Sequence, residues 1–397
     1  MHDGKCRHPS DYDYENENEE TGVPMSVRLI LTNDWELFGD GSGDYFDVQH
    51  RPLDMLLDVA EAHGAKITVM AELGQQWAHE ALGEKHAWAA EIAAAWREAL
   101  VEGVRRGHDV QMHLHPQWLR AKYDGARWRL DTDHWLTGGL PAETLAEAFS
   151  RGKRYLEVLL RPANPDYQCI GFRAGGYCIE PSTHVIQALV RAGFLCDTSV
   201  VAGAHEPGYY DYRDAHGRRG PWEVDGRSVK HAGAGTGLLE FPVYAAPTWD
   251  VPVLRKLMGV HYGTRCAAEE REWFALKDRL NRQRYPAQQR PHRMGLARRR
   301  LPNLLLCRTV LRLDYDDLPA RIFARMLARN GDSNGSSFVV ATGHVKNMPN
   351  ADNLHRILAL ARARLGEGLT HRTLSEAVQE TRTSTDEHGH GESRAGM

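Results

Sequence analysis

Apolar residues along the chain alternate between short β-type runs and longer stretches of helical period, and that alternation predicts an α/β fold. The run Val27-Arg28-Leu29-Ile30-Leu31-Thr32 reads as a first strand. Residues 52–63 follow as an amphipathic helix, with Leu53, Leu56, Leu57 and Ala60 on one face and Gly64 at its stop. Further strands are expected at 66–71, 108–113, 169–172, 194–196, 337–342 and, with a weaker pattern, 238–243. Helices are expected over 85–106, ending at Gly107, and over 141–160, 181–192, 318–329 and 353–365. Strand-helix units repeated at this spacing imply parallel pairing through right-handed crossovers. A barrel of roughly seven strands fits their number better than a doubly wound sheet.

Five polar clusters each follow one of these apolar runs. They are Thr32-Asn33-Asp34-Trp35-Glu36, His113-Leu114-His115-Pro116, Arg173-Ala174-Gly175-Gly176-Tyr177, Asp197-Thr198-Ser199 and Thr342-Gly343-His344. In parallel α/β folds the carboxyl ends of the strands share one face, so residues distant in sequence converge there. Each cluster alone has an ordinary reading: Asp34 and Glu36 as capping carboxylates, the histidines as a chance pair, Arg173 as a surface cation, Asp197 as a turn former, His344 as a loop residue. Their recurrence at equivalent strand ends favours a shared site.

The 397-residue chain has a mean hydropathy of −0.52 and is long enough for one large α/β domain with insertions. No stretch approaches the roughly 18 to 20 apolar residues that span a bilayer, and the start of the chain is acidic, unlike a secretory signal, so a cytoplasmic location is the default expectation. Residues 1–24 read as a disordered leader, with Met25 a candidate alternative start, and residues 380–397 as a disordered polar tail. A single domain is expected over 25–379.

Six cysteines without a Cys-x-x-Cys pair indicate neither a disulfide framework nor a zinc ribbon, and read as buried small hydrophobes. Histidine is abundant, at 21 copies, so a His-x-His pair is expected roughly once by chance. A second pair, His388-Gly389-His390, does occur in the tail. Only the first follows an apolar strand and precedes a proline.

Residues 277–312 carry eleven Lys or Arg against one acid, Asp278, a local charge of +10 within a chain of net −4. A basic insertion over about 251–315 is expected, partly helical. It is either simply solvated or a contact for an anionic partner such as a nucleotide diphosphate, a lipid-linked phosphate or an acidic membrane surface. Nucleic acid is not expected, since no binding module is recognisable and the chain is acidic overall.

Asp34 and Glu36 lie two apart at a strand end, so both carboxylates point to one side, and His113 and His115 share that spacing. Two imidazoles and one carboxylate, with a position left for water, form a usual ligand set for catalytic zinc or a similar divalent metal, and the second carboxylate is then available as a base. Glu72, at the end of the second strand, faces the same site. Trp35 and Trp118 flank the motifs, either stacking on a sugar face or packing in the core. The loop 39–44 fails phosphate-loop and EF-hand patterns and reads as a lid at the rim.

With these motifs, in this order from Val27 to His344, the chain resembles the NodB-homology polysaccharide deacetylases of carbohydrate esterase family 4. Its Asp-Trp-Glu, His-Leu-His-Pro and Arg-Ala-Gly-Gly-Tyr forms look most like members associated with surface-polysaccharide synthesis. It departs from the usual pattern in two places. Trp35 separates acids that are normally adjacent, and the histidines lie two apart instead of four. The resemblance implies a deformed (β/α)7-type barrel and metal-assisted hydrolysis of an N-acetyl or N-formyl amino sugar. By that likeness Asp34 is the base, Glu36, His113 and His115 hold zinc or a similar metal, and the two acidic roles are open to exchange. His344 protonates the departing amine, Arg173 orients Asp34, and Asp197 holds Arg173 or His344. A carbohydrate, nucleotide- or lipid-linked, is the implied partner. A hydrolase of non-sugar amides on this scaffold, and a non-catalytic carbohydrate- or phosphate-binding relative, are the alternatives.

Overall fold

The computed structural model describes residues 26–206, 208–247, 310–316, 318–331, 338–348 and 350–391. The leader, residues 251–309 of the basic insertion and the last six residues lie outside them. Parallel strands run through one nine-stranded sheet: β1 (Val27–Trp35), β2 (Ile67–Glu72), β3 (Asp109–Leu114), β4 (Gly171–Ala174), β5 (Cys196–Asp197), β6 (Trp222–Glu223), β7 (Leu239–Glu240), β8 (Phe338–Ala341) and β9 (Leu369–His371). The order is β6-β7-β5-β4-β3-β2-β1-β8, with β9 paired to the start of β1. Only β6 and β7 pair antiparallel.

The sheet curls until its ends approach. Val243, beyond β7, makes isolated parallel bridges to Val201 and to Val340 of β8, and Gly220 bridges Phe338. Strands β2 and β3 are buried at every position, and β3 alternates apolar residues with the buried polar side chains of Asp109, Gln111 and His113.

Helices α1 (Arg51–Ala62), α2 (Leu73–Gly83), α3 (Ala87–Arg105), α4 (Ala142–Leu160), α5 (Thr183–Arg191), α6 (Ala320–Ala328) and α7 (Asp352–Leu365) include the connections between strands. The face of α1 expected from its sequence is the one buried, with Leu53, Leu56, Leu57 and Ala60 at 1% exposure or less. Each such leucine contributes about 1.5–3 kcal/mol by leaving water, and Leu56→Ala would cost about 2–5 kcal/mol.

Besides the two-residue β6, three elements went unread. Helix α2 starts on a glutamate: the Glu72 side chain accepts from the backbone N–H of Gly74 and Gln75, whereas cap signals in sequence are normally Ser, Thr, Asp or Asn. Strand β9 is three residues long and polar at two of them, Thr370 and His371. A last helix, α8 (Leu374–Gly391), continues past Glu380, where a disordered tail was expected. No helix among the described residues is long and apolar enough to cross a membrane. Cys169, Cys178 and Cys196 are free and buried as expected, and the other three cysteines lie outside the described residues.

Candidate active site

Four of the five polar clusters meet at the carboxyl ends of β1, β3, β4 and β8, around a cavity of about 300 Å³ lined by Asp34, Glu36, His115, Tyr177, Arg312, His344 and Lys346 among others. Convergence follows from register. Asp34 pairs with Met70 across β1 and β2, Glu72 with His113 across β2 and β3, and His113 with Arg173 across β3 and β4, so these strand ends lie in one row.

Arg173 is fully buried and fully used. Its Nη1 donates to Asp34 Oδ1 at 2.6 Å, to Thr32 Oγ1 at 2.9 Å and to Thr342 Oγ1 at 3.4 Å, while Nε and Nη2 donate to the carbonyl and hydroxyl of Thr198. Burial works against ionising Asp34, but Arg173, with His113 and His344 beyond it, outweighs that and holds the carboxyl well below its usual range. His344 lies on the other carboxylate oxygen, Nε2 to Oδ2 at 3.4 Å. Asp34 is thus ionised, oriented on one side and next to an imidazole on the other.

Asp197 does not take the place expected of it. Its carboxylate accepts from the backbone N–H and hydroxyl of Ser199, at 3.1 and 2.8 Å, and its neighbour across the sheet is Glu240. Thr198, not Asp197, holds Arg173. Strand alternation explains this: adjacent residues face opposite ways, so only one of the pair can reach the guanidinium. The residue beside His344 is Asp316, which accepts the His344 backbone N–H at 2.9 Å and lies 3.6 Å from its Nδ1. Asp316 follows a stretch expected to be basic insertion, which hid it.

On the far side of the cavity Glu36 Oε2 faces two imidazoles, 2.7 Å from His115 Nε2 and 3.7 Å from His113 Nε2, while Oε1 accepts from Lys346 at 2.5 Å. Burial pushes Glu36 up, yet His115 and Lys346 hold it well below the ordinary range. Neither buried Nε2 atom forms a well-aligned hydrogen bond, and the Glu36 carboxylate is what each of them faces. His113 Nδ1 sits 2.9 Å from the Arg173 carbonyl, which can only accept, so Nδ1 carries a proton, and in the neutral ring Nε2 presents a lone pair. A lone pair and a carboxylate facing each other in a dry site call for a cation. His115 Nδ1 is 3.0 Å from Gln117 Nε2, and the Gln117 oxygen is itself buried without a partner. Turning that amide would let His115 carry its proton on Nδ1 too, freeing the second Nε2 lone pair.

Ligating atoms of Glu36, Glu72, His113 and His115 lie within 4.8 Å of one another, so this buried cluster can hold a metal ion. Its donor set of imidazoles and carboxylates suits zinc and similar divalent metals. Glu72 is buried. Burial and the nearby Glu36 charge push its carboxyl up to about 8, against the pull of His115 and the N–H groups it accepts from.

The two glycines of Arg-Ala-Gly-Gly-Tyr have separate jobs. A Cβ on Gly175 would sit 2.5 Å from the His115 ring, so only glycine lets the imidazole lie there. Gly176, at φ 59°, and Tyr177, at φ 63°, turn the chain through two left-handed residues, and the Tyr177 hydroxyl then lies 3.0 Å from Thr342 Oγ1. Trp35 faces away from the cavity, fully buried, with its indole N–H donating to the Gln49 carbonyl and its ring stacked on Trp96. Trp118 packs on Trp128. Neither reaches a sugar. The aromatic side chains at the cavity mouth are Tyr209 and Tyr210, and Tyr209 packs on Trp135. Loop 39–44 is not among the lining residues, and its Gly41 packs on Trp128.

No protein-family model and no curated protein sequence matches the chain. Among solved structures, a Mycobacterium smegmatis protein assigned provisionally as a polysaccharide deacetylase aligns over 92% of this chain and 93% of its own, at 14% identity and a TM-score of 0.43. The 4-alpha-glucanotransferase of Thermococcus litoralis aligns over 89% of this chain and 40% of its own, at 11% identity and the same TM-score of 0.43. Likenesses this loose fix neither family nor chemistry.

Proposed function

We propose that the chain is a metal-dependent hydrolase that removes an N-acetyl or N-formyl group from an amino sugar, on a deformed (β/α)7-type barrel of the polysaccharide-deacetylase kind. The observation that carries this reading is the pair of buried Nε2 atoms of His113 and His115 converging on the Glu36 carboxylate without a well-aligned hydrogen bond, beside an Asp34 already oriented by Arg173. Glu36, His113 and His115 would hold the metal, most naturally zinc. A divalent ion there would acidify a water and polarise the amide carbonyl.

The side chains do the rest. Asp34, ionised and held on one oxygen by Arg173, accepts the water proton on the other; a placed base of this kind contributes about 10²–10⁴-fold. His344, next to that oxygen, gives a proton to the leaving amine, and Asp316 supports the imidazolium that forms when His344 is charged. Lys346 keeps Glu36 ionised. Tyr209 and Tyr210 offer ring faces to a sugar at the mouth. Of the basic stretch 277–312, expected as a contact for an anionic partner, residues 277–309 lie outside the described residues and Arg312 lines the cavity, so a phosphate carrier is not part of this reading.

Elemental analysis of purified protein tests it. About one zinc per chain is expected, lost in a His113→Ala, His115→Ala double variant, and a panel of N-acyl amino sugars should then release acetate or formate in an Asp34-dependent way. Equal, near-zero metal in both proteins after reconstitution would rule the hydrolase out.

A further inference from the structure

We propose that Glu72 is the positioning residue of the metal half of this site: it fixes His115 through the backbone and stays out of the coordination sphere, leaving a fourth position to water. The inference rests on the metal reading above. Strand β3 ends at Leu114, so the N–H of His115 has no strand to donate to. Glu72, in register with His113 across β2 and β3, supplies the acceptor: its Oε2 takes the His115 N–H at 2.7 Å. Its Oε1 takes the N–H of Gly74 at 2.8 Å and of Gln75 at 3.4 Å, closing the start of α2.

Three backbone donors therefore converge on one buried carboxyl group. Turning either oxygen toward a metal would strand a buried N–H, at a cost of about 1–3 kcal/mol each. Gly74 locks the arrangement, since a Cβ there would sit 2.9 Å from Oε1 and 2.7 Å from Trp118. His115 is then held at three points: the backbone by Glu72, the ring by Gly175 and Nδ1 by Gln117. His113 needs no such help, because it lies within the strand. This is how two histidines only two residues apart, one inside a strand and one beyond its end, can face the same carboxylate.

The test uses the full chain with Glu72→Gln and the conservative Glu72→Asp. Zinc affinity is read by competition with a chromophoric chelator, amide exchange over residues 113–119 by mass spectrometry without metal, and the open position by the visible spectrum of the Co²⁺ protein on adding thiocyanate. Expected are a loss of affinity of about 10–100-fold in Glu72→Gln, smaller in Glu72→Asp. Exchange over 113–119 should quicken in the metal-free variant, and thiocyanate should shift the wild-type Co²⁺ spectrum. Unchanged affinity and exchange in Glu72→Gln would overturn the positioning role. A wild-type spectrum blind to thiocyanate that becomes responsive in Glu72→Gln would make Glu72 the fourth ligand and overturn it as well. A wild type that binds no metal, with exchange still quickened in the variant, would sink the hydrolase reading and leave the hold on His115 standing.

Discussion

The Arg173 side of the cavity and the Glu36 side are built from the same kinds of residue, yet one is complete and the other is not. Around Arg173 every nitrogen of the guanidinium has an acceptor, supplied by Asp34, Thr32, Thr342 and Thr198. Around Glu36 a carboxylate oxygen confronts two imidazole nitrogens that form no well-aligned hydrogen bond, and Lys346 reaches only the other oxygen. Buried polar groups are ordinarily satisfied, so the difference separates a part the protein finishes alone from a part shaped around something it must acquire.

If that is right, the two sides should respond oppositely to truncation. Arg173→Met leaves Asp34 as an uncompensated charge in a dry site, and breaking a buried pair from one side costs about 3–5 kcal/mol. Chemical denaturation should show a loss of that size; a loss below about 1 kcal/mol would mean that water reaches Asp34 and that the Arg173 side is not closed. In the metal-free state the double change His113→Ala, His115→Ala removes the two crowded Nε2 atoms together with the Nδ1 bonds to the Arg173 carbonyl and to Gln117, so the same denaturation should move by about 1–2 kcal/mol beyond the lost packing, while metal content falls to nothing. A metal-free loss as large as that of Arg173→Met would show the imidazoles to be structural.

Gly175→Ala probes the seam between the two sides. Its new methyl meets the His115 ring at 2.5 Å and must push it, while Arg173 two residues back keeps its partners. Zinc affinity should fall by about tenfold or more with little change in stability, a split that calorimetry and chelator competition can both measure.

Much of this site was legible because strand chemistry is periodic. Asp34 with Glu36 and His113 with His115 share a spacing of two, and parallel register carries that spacing into space. The same rule misled at Asp197 and Thr198, where the charged residue drew the eye while alternation aimed its neighbour at Arg173. Glu72 was noticed but unassigned, since a glutamate cap gives no recognised pattern. Lys346 and Asp316 were missed for different reasons. Lys346 repeats the two-residue spacing after His344 and could have been found by it, whereas Asp316 reaches the site from behind a segment whose charge suggested a separate insertion. The shortest strands, β5, β7 and β9, were weak or invisible, because two or three residues cannot display a period and are held by the neighbours they complete.

The smallest expected effect concerns acid, and it divides site from scaffold. Asp34 and Glu36 are both held well below the usual carboxylate range, so neither carboxylate takes up a proton between pH 7 and 5. His108, in the strand connection below β3, is lowered to about 4 by burial, with Lys66 and Arg106 nearby adding to the effect against the pull of Glu61. Its ring is already committed: Nδ1 accepts the Ile67 N–H at 3.0 Å, which places the proton on Nε2, 3.0 Å from Glu61. Charging it puts a second proton where a hydrogen bond is already accepted. Its folded value lies below the unfolded 6.5, so the unfolded chain binds the proton first; its contribution is intact above pH 6.5 and is lost as pH falls toward 4. His79, also lowered to about 4 by burial, acts in the same direction. His108 and His79 therefore lower the melting temperature of the metal-free protein between pH 6.5 and 4.5, against Glu72, whose raised carboxyl works the other way, and His108→Gln should reduce that downward pull while leaving zinc affinity at pH 7.5 unchanged. A slope untouched by His108→Gln and by a matching change at His79, but abolished by Asp34→Asn, would place the acid sensitivity in the site and erase the distinction between a finished Arg173 side and an unfinished Glu36 side.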